Sequence, residues 1–540
     1  MAIETKITKI KKRDGRIVDF DPQKITNAIF KALSAVKKPD LTLAEDIARE
    51  VVDLLGKRFV EITPGVEEVQ DVVEDALVKR GLTEVAKAYI LYRQQRAELR
   101  ATKAFVKAPN DLKLGVNTLR VLARRYLLKD DKGNVIETPR ELFRRVAKAV
   151  AAGDLISDPQ ADVQKIEEEF YQMLANLEFM PNTPTLMNAG IELGQLSACF
   201  VLPVGDSLRE IFDAVKYTTL IQQSGGGTGF SFSRLRPRGD IVMSTKGQAS
   251  GPVSFMRVFD VATDVVKQGG RRRGANMGIL RIDHPDVLEF ITSKTTEGFL
   301  RNFNISVTAT DRFMEAVEKK EDYELINPRT GQAVRKMNAA EVFDLIIRMN
   351  WQTGDPGMVF IDEVNRRNQT AHIGEIESTN PCGEQVLHPY ESCNLGSINL
   401  AKVISNGQVD WAKLRQLVRT GVHFLDNVID VNKFPLPQIK EITEANRRIG
   451  LGVMGLAEAL IMLNIPYDSE EALEFAEKLM KFIADESHKM SAKLGEKRGS
   501  FPNFKGSSWD KEGYKTMRNA TTTTIAPTGT ISIIAQTTSG

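Results

Sequence analysis

The chain has 540 residues, 42% of them apolar and 27% charged, and a net charge of +2. This is the profile of a globular protein of two to four domains. It gives no case for nonspecific nucleic-acid or membrane binding, and no run of about 18 apolar residues is present to span a bilayer. The N-terminal stretch "MAIETKITKIKKRDGR" has neither an apolar signal core nor the acid-free composition of a transit peptide. Three cysteines cannot build a disulfide framework, and an odd count suits a reducing compartment, so the expected location is cytoplasmic. No Cys-x-x-Cys or His-Glu-x-x-His pattern occurs, so no metal site is expected.

In chain order, residues 1–96 read as one small α+β unit. "TKITKIKKRDGRIVDF" predicts two strands turning at Asp14-Gly15. A helix follows in "DPQKITNAIFKALSAV", where Asp21 can cap, Pro22 stands first, and Ile25, Ile29 and Leu33 share a face. "LAEDIAREVVDLLGKRF", "GVEEVQDVVEDALVKRG" and "TEVAKAYILYRQQRAELR" predict further helices. Residues 97–180 read as a mainly helical domain.

From "MPNTPTLMNAG" onward, residues 181–540 alternate short strands with helices. The strand candidates are "LSACFVLPV", "GTGFSFSRLRP", "GILRI", "NISVTA", "MVFIDEV", "NLGSINLAKVI", "GLGVMGL" and "TTTTIAPTGTISIIA". This pattern predicts an α/β sheet or barrel. The last stretch is apolar with turn residues on both sides and no following helix, so a polypeptide continuing beyond Gly540 is expected.

Two of the cysteines stand in "STNPCGEQVLHPYESCNLGSINL", a polar, glycine-containing context rather than an apolar one. Cys382 lies between Pro381 and Gly383, with Asn380 and Glu384 placed symmetrically around it. In a tight turn, the amide could orient a ligand and the carboxylate accept its proton; the alternative is a loop with a capping Asn and a surface Glu. His388 is near, yet nothing else supports a Cys-His dyad, and redox or radical work suits the arrangement better. Cys393 is ambiguous by context. Cys199, in a short apolar strand, reads by itself as a buried structural thiol.

Other stretches are weaker alone. "SGGGTGFSFS", with Gly226 and Gly227, permits close backbone approach to a ligand, and lacks the lysine of a P-loop. "GMVFIDEVNRR" therefore reads as a buried strand ending in surface acids rather than half of an ATPase motif. "IAPTGTIS" has the small residues of a phosphate-approach loop, although a plain turn is the simpler reading. "KQGGRRRGAN" and "KKRDGR" read by default as solvated basic loops.

Taken together, "STNPCGE", "ESCNLGSINL", "LSACFVLPVGDS", "KQGGRRRGANMGIL" and "TIAPTGTIS" resemble ribonucleotide reductase large subunits. They are most like the adenosylcobalamin-dependent class, from about residue 110 to the last residue. Residues 1–96 resemble an ATP-cone. The resemblance implies a ten-stranded α/β barrel behind a helical domain, although only about eight strands are found, and the cysteine pair usual in the family's tail is absent. It implies that Cys382 carries a thiyl radical, that Cys199 and Cys393 are the pair that reduces the 2′ position, and that Asn380 and Glu384 hold the ribose hydroxyls, with Glu384 as base. The reading of Cys199 as structural is thereby reversed.

By the same resemblance, Thr528, Gly529, Thr530, Ile531 and Ser532 form the substrate-phosphate loop, faced by Thr183 and the Gly226–Gly227 turn. Asp206, Ser207, Leu208 and Arg236 contact a dNTP effector, and Gln268 and Arg271 lie in the loop between effector and substrate. Lys12, Arg13, Lys24 and Lys87 bind triphosphate in the cone, with ATP activating and dATP inhibiting. Adenosylcobalamin is the implied cofactor. A ribonucleotide, ATP and dNTP effectors, a thioredoxin-like dithiol and a second copy in a homodimer are the implied partners, with no nucleic acid or membrane. An oxygen-dependent large subunit and a non-catalytic nucleotide-binding protein remain the alternative readings.

Overall fold

The computed structural model describes residues 5–540 apart from 6, 13–14, 61, 107–110, 244 and 269–271; of 95–106, 267–268 and 272–273 it describes the backbone alone. The chain divides into two compact units, 1–107 and 108–540.

In the first unit, strands Lys9–Lys11 and Ile17–Asp19 pair antiparallel, as the Asp-Gly turn predicts. Helices Gln23–Ala35, Leu41–Arg58, Val66–Lys79 and Thr83–Val106 follow. Their starts are written in the sequence. The Asp21 carboxylate accepts from the Gln23 N–H, Asp40 from the Leu43 N–H, and Glu68 reaches back to the Gly65 N–H. Ile25, Ile29 and Leu33 all turn into a core that also holds Ile47, Val51 and Leu77.

In the second unit, a helix at Pro139–Ala151 opens on a capping box: Thr138 accepts from the Glu141 N–H and Glu141 from the Thr138 N–H. Beyond it lies an eight-stranded sheet whose path begins at an edge strand, Gly357–Phe360, and runs through Phe303–Ala309, Asn276–Arg281, Gly227–Ser231 and Cys199–Pro203, all parallel. The next strand, Ser392–Asn399, is antiparallel to Cys199–Pro203 and parallel to Ile449–Met454. Its far half pairs antiparallel with Phe179–Pro181. The sheet therefore has two halves of opposite strand direction meeting at one seam. Phe200, Phe230, Phe259, Phe290 and Phe303 fill the core under the larger half.

Seven of the eight strand candidates fall on sheet strands, and the α/β architecture stands. The eighth does not: "TTTTIAPTGTISIIA" follows the last strand through single hydrogen bonds, such as Leu451 N–H to Thr522 O and Thr524 N–H to Leu451 O, and then enters a short helix, Ile531–Ala535. Pro527 and the left-handed Thr528 break any continued ladder. The strand read as buried in "GMVFIDEVNRR" is the half-exposed edge of the sheet, with Asp362 and Glu363 in the first turn of the following helix.

Candidate active site

The hairpin carrying Cys382 is built from short strands Ser378–Thr379 and Val386–Leu387. At its tip the Gly383 N–H donates to Asn380 O at 3.0 Å, closing a β-turn with Asn first, Pro second, Cys third and Gly last. Each type suits its place: asparagine favours the first position, proline presets φ at the second, and Gly383 takes the positive φ of 81°. The turn holds the Cys382 side chain outward.

Glycines in the neighbouring strand seat this hairpin. A Cβ on Gly229 would lie 1.7 Å from Thr379 O, and one on Gly227 would lie 2.9 Å from the Pro381 ring. Backbone therefore crosses backbone at van der Waals contact, a packing that any side chain would forbid. Asn304 donates to Pro381 O at 2.7 Å and Thr524 to Glu384 O at 2.9 Å, pinning the loop on two further sides.

Asn380 is the hub. Its Oδ1 accepts from the Gln385 N–H at 3.0 Å, while its Nδ2 donates to Glu384 Oε2 at 2.6 Å and to Cys199 Sγ at 3.2 Å. Cys199 Sγ in turn lies 3.9 Å from Glu384 Oε1. Cys393 is the register partner of Cys199 across the seam. Residues directly opposite on antiparallel strands have Cα atoms about 4.5–5.5 Å apart, inside the range that a disulfide bridges. None of the three cysteines is joined in a disulfide.

Burial pushes the Cys199 thiol well above its ordinary value, and the neighbouring Glu384 carboxylate and the other two sulfurs add to the effect. Cys393, fully buried, is raised well above it for the same first reason, with Glu391 adding and Arg448 opposing. Both therefore stay protonated at neutral pH and suit the donation of hydrogen rather than attack as thiolates. Glu384 is raised by burial, against the lowering effect of its hydrogen bond from Asn380. Behind Cys393, a fully buried ion pair joins Arg448 Nε to Glu391 Oε1 at 2.8 Å.

Cys199, Asn380, Cys382 and Glu384 open onto a cavity of about 400 Å³. Cys382 is exposed on it. Among the described residues the sheet path runs open from Gly357–Phe360 to Ile449–Met454. Thr183, Gly227, Thr528, Gly529, Thr530 and Ile531 line the same cavity. Ser532 is buried beside it, donating to Gly529 O at 3.4 Å. Gly226 packs elsewhere: a Cβ there would come within 2.4 Å of the Phe200 ring. Nothing lies within 4 Å of where a Gly529 Cβ would be, so that backbone faces open space.

Sequence reasoning passes over two residues that hydrogen-bond to side chains of this wall. Tyr126 OH is 2.9 Å from Thr183 Oγ1, and Arg125 Nη1 donates to Thr530 Oγ1 at 3.3 Å. Both sit in the π-helical segment Leu122–Tyr126, more than 50 residues from either partner, and no local signal marks them. A third, Ser397, lines the cavity from the strand that carries Cys393; its even spacing from that cysteine is a legible sign of a shared face.

The remaining candidates lie apart. Arg236 and Asp206 form an ion pair at 2.8 Å, Ser207 caps helix Leu208–Gln223, and Leu208 is exposed. These four meet at one surface point. The backbone of Gln268 pairs with Arg272 in a two-residue ladder; its side chain and Arg271 lie outside the described residues. In the first unit, the Lys12 N–H donates to Arg16 O, Lys24 pairs with Asp21 at 3.6 Å, and Lys87 is exposed; Arg13 lies outside the described residues.

Comparison with known families finds three matches in succession: an ATP cone domain at 8–98, a ribonucleotide reductase all-alpha domain at 112–194 and a ribonucleotide reductase barrel domain at 197–516. Among named relatives, the vitamin B12-dependent ribonucleoside-diphosphate reductase of Thermoplasma acidophilum is 51% identical over 98% of this chain and 76% of its own length. A Mycobacterium tuberculosis protein of the same name is 49% identical, with the same coverage of each chain. The ribonucleoside-diphosphate reductase subunit alpha of Chlamydia muridarum is 29% identical over 88% of this chain and 48% of its own.

Proposed function

The chain belongs to the ribonucleotide reductase large-subunit family, and from that premise we propose that it reduces ribonucleoside diphosphates to deoxyribonucleotides in an adenosylcobalamin-dependent reaction. The observation that carries this reading is that Cys199, on Asn380 and Glu384 beside the turn of Cys382, is also the register partner of Cys393, although it lies more than 180 residues from both. The share of identical residues favours the B12-dependent branch over the subunit-alpha branch, 51% against 29%.

The cavity would hold the ribose against Asn380 and Glu384 and the phosphates toward Thr183 and the 528–532 loop. Cys382, as a thiyl radical, takes the 3′ hydrogen. Glu384 accepts the 3′-hydroxyl proton, which its raised pKa makes easier to hold and to return. The 2′-hydroxyl leaves as water, protonated by one thiol of the Cys199–Cys393 pair. That pair gives up two electrons and two protons and ends as a disulfide, and Cys382 then returns the 3′ hydrogen. An external dithiol, itself oxidised to a disulfide, would reduce the pair again.

Adenosylcobalamin, when bound, supplies the radical equivalent that Cys382 receives. The residues present fit a large group approaching from solvent: Cys382 is exposed, and nothing lies within 4 Å of where a Gly383 Cβ would stand. No helix among the described residues is long and apolar enough to cross a membrane. A cytoplasmic enzyme, its unbridged thiols kept reduced, is the reading we adopt.

Asp206, Ser207, Leu208 and Arg236, with Gln268 and Arg271, would bind a dNTP where two copies of the chain meet in a dimer. The first unit would bind ATP or dATP through Lys12, Arg13, Lys24 and Lys87 and set overall activity.

The test is turnover of a ribonucleoside diphosphate with dithiothreitol and a dNTP, with and without adenosylcobalamin. Cobalamin-dependent product that Cys382→Ser abolishes, while that variant still binds dNTP, supports the reading. Multiple turnover by Cys382→Ser, or turnover without the cofactor, contradicts it.

A further inference from the structure

The strand Ser392–Asn399 presents Cys393, Leu395 and Ser397 on one face, because side chains on a strand alternate. Leu395 and Ser397 line the cavity. Ser397 is fully buried, and its Oγ has no hydrogen-bond partner among the described residues. A buried hydroxyl without a partner is destabilising, and an alanine of nearly the same shape would avoid that cost. The hydroxyl is therefore a liability to the free protein unless something that enters the cavity satisfies it.

Its position narrows what that something is. Ser397 lies four positions along the strand from Cys393, about 13 Å at an ordinary strand rise. The ribose belongs at the cysteine end, beside Asn380 and Glu384, so Ser397 stands well beyond the sugar. Its register partner on the parallel neighbour is Gly452, and a Cβ there would lie 2.7 Å from Thr524 O and 3.6 Å from Ser397 Oγ. The segment leading from Thr524 to Thr528 thus passes directly over this end of the strand. Thr183, Thr528 and Thr530 supply hydroxyls to the same cavity, with Arg125 held against Thr530.

We propose that Ser397 is a substrate-positioning residue whose hydroxyl donates to a phosphate oxygen of the bound nucleotide, completing a ring of hydroxyls around the diphosphate. This deepens the functional reading above and rests on it. The Ser397 hydroxyl is paid for, in stability, only while the site is empty.

The experiment measures equilibrium binding of CDP and of cytidine to the full chain and to Ser397→Ala, together with the melting midpoint of each free protein. Ser397→Ala should weaken CDP by about three- to tenfold, leave cytidine unchanged, and melt no lower than the parent. Ser397→Cys, nearly isosteric and a weak donor, should fall between the two. Equal CDP affinities would overturn the proposal, as would a loss shared equally by cytidine, or a loss that accompanies a lower melting midpoint. If the parent protein binds no CDP, the functional reading itself fails and the proposal fails with it; if it binds CDP and Ser397→Ala does so equally well, only the proposal fails.

Discussion

Cys199 and Cys393 are register partners at the seam where the two halves of the sheet meet in opposite directions, with Ala198 N–H donating to Cys393 O at 3.1 Å beside them. Elsewhere on the sheet path neighbouring strands run parallel. At this seam, residues 194 positions apart in the chain become direct cross-strand neighbours. The seam brings the pair within bridging distance without bending either strand. Burial of both keeps them as thiols, which is the form that can donate hydrogen.

Replacing one member should separate the first chemical step from the rest. Cys199→Ser is expected to exchange the substrate's 3′ hydrogen, since Cys382 is intact, yet to make no deoxynucleotide over repeated cycles. Tritium release from 3′-labelled substrate checks the first part and product analysis the second. Normal steady-state turnover with dithiothreitol would contradict the role.

Gly229 can be tested for its part in seating the hairpin. An alanine there puts a Cβ 1.7 Å from Thr379 O, so the hairpin base must shift by more than an ångström. Displacement on that scale costs about a hundredfold in rate when it reaches reacting groups. Gly229→Ala should therefore lose activity by about that factor while its far-UV circular dichroism stays native. Activity close to the parent's would show that Gly229 does not seat the hairpin.

The pH profile should carry the mark of Glu384. Burial raises its pKa, so the acid limb of kcat/KM belongs above the ordinary glutamate range, and activity falls as pH drops through it. Asn380 donates to the carboxylate and so favours its charged form. Asn380→Ala should move the limb further up in pH, besides lowering the rate. A limb that moves down, or does not move, would contradict the pairing.

Behind the sheet, Asp426 is fully buried among Arg447, Arg498 and Arg518, with its pKa lowered by them against the cost of burial. Its contribution to stability is present above the unfolded value, near pH 4, and is lost as pH falls through the lower folded value. Asp426→Asn leaves buried guanidinium groups uncompensated and should cost about 3–5 kcal/mol, read from urea unfolding at pH 7. A loss under 1 kcal/mol would mean that the surrounding groups rearrange to replace it.

Much of this was legible in the residues. Caps at Asp21, Asp40 and Thr138 mark helix starts, and alternating apolar runs mark seven sheet strands. The run Asn-Pro-Cys-Gly announces a tight loop. Other features depend on pairs far apart in sequence. Phe179–Pro181 is only three residues long, too short for periodicity, and is a strand only because Gly396–Ile398 pairs with it. The 521–535 stretch is rich in β-formers, yet Pro527 and Thr528 break it and it ends in a helix. Tyr126 and Arg125 meet Thr183 and Thr530 through the fold alone. Cys199 shows the limit most plainly: its apolar neighbours describe its burial correctly, and only the cross-strand register brings it beside another sulfur.

The most direct test of the account maps the sulfurs after a single turnover. The protein is given ribonucleoside diphosphate, a dNTP and adenosylcobalamin with no external reductant, then quenched, alkylated and digested for mass spectrometry. One Cys199–Cys393 disulfide per deoxynucleotide formed, with Cys382 alkylated as a thiol, is the predicted result. Product formed while all three cysteines remain alkylatable, or a disulfide that includes Cys382, would contradict it.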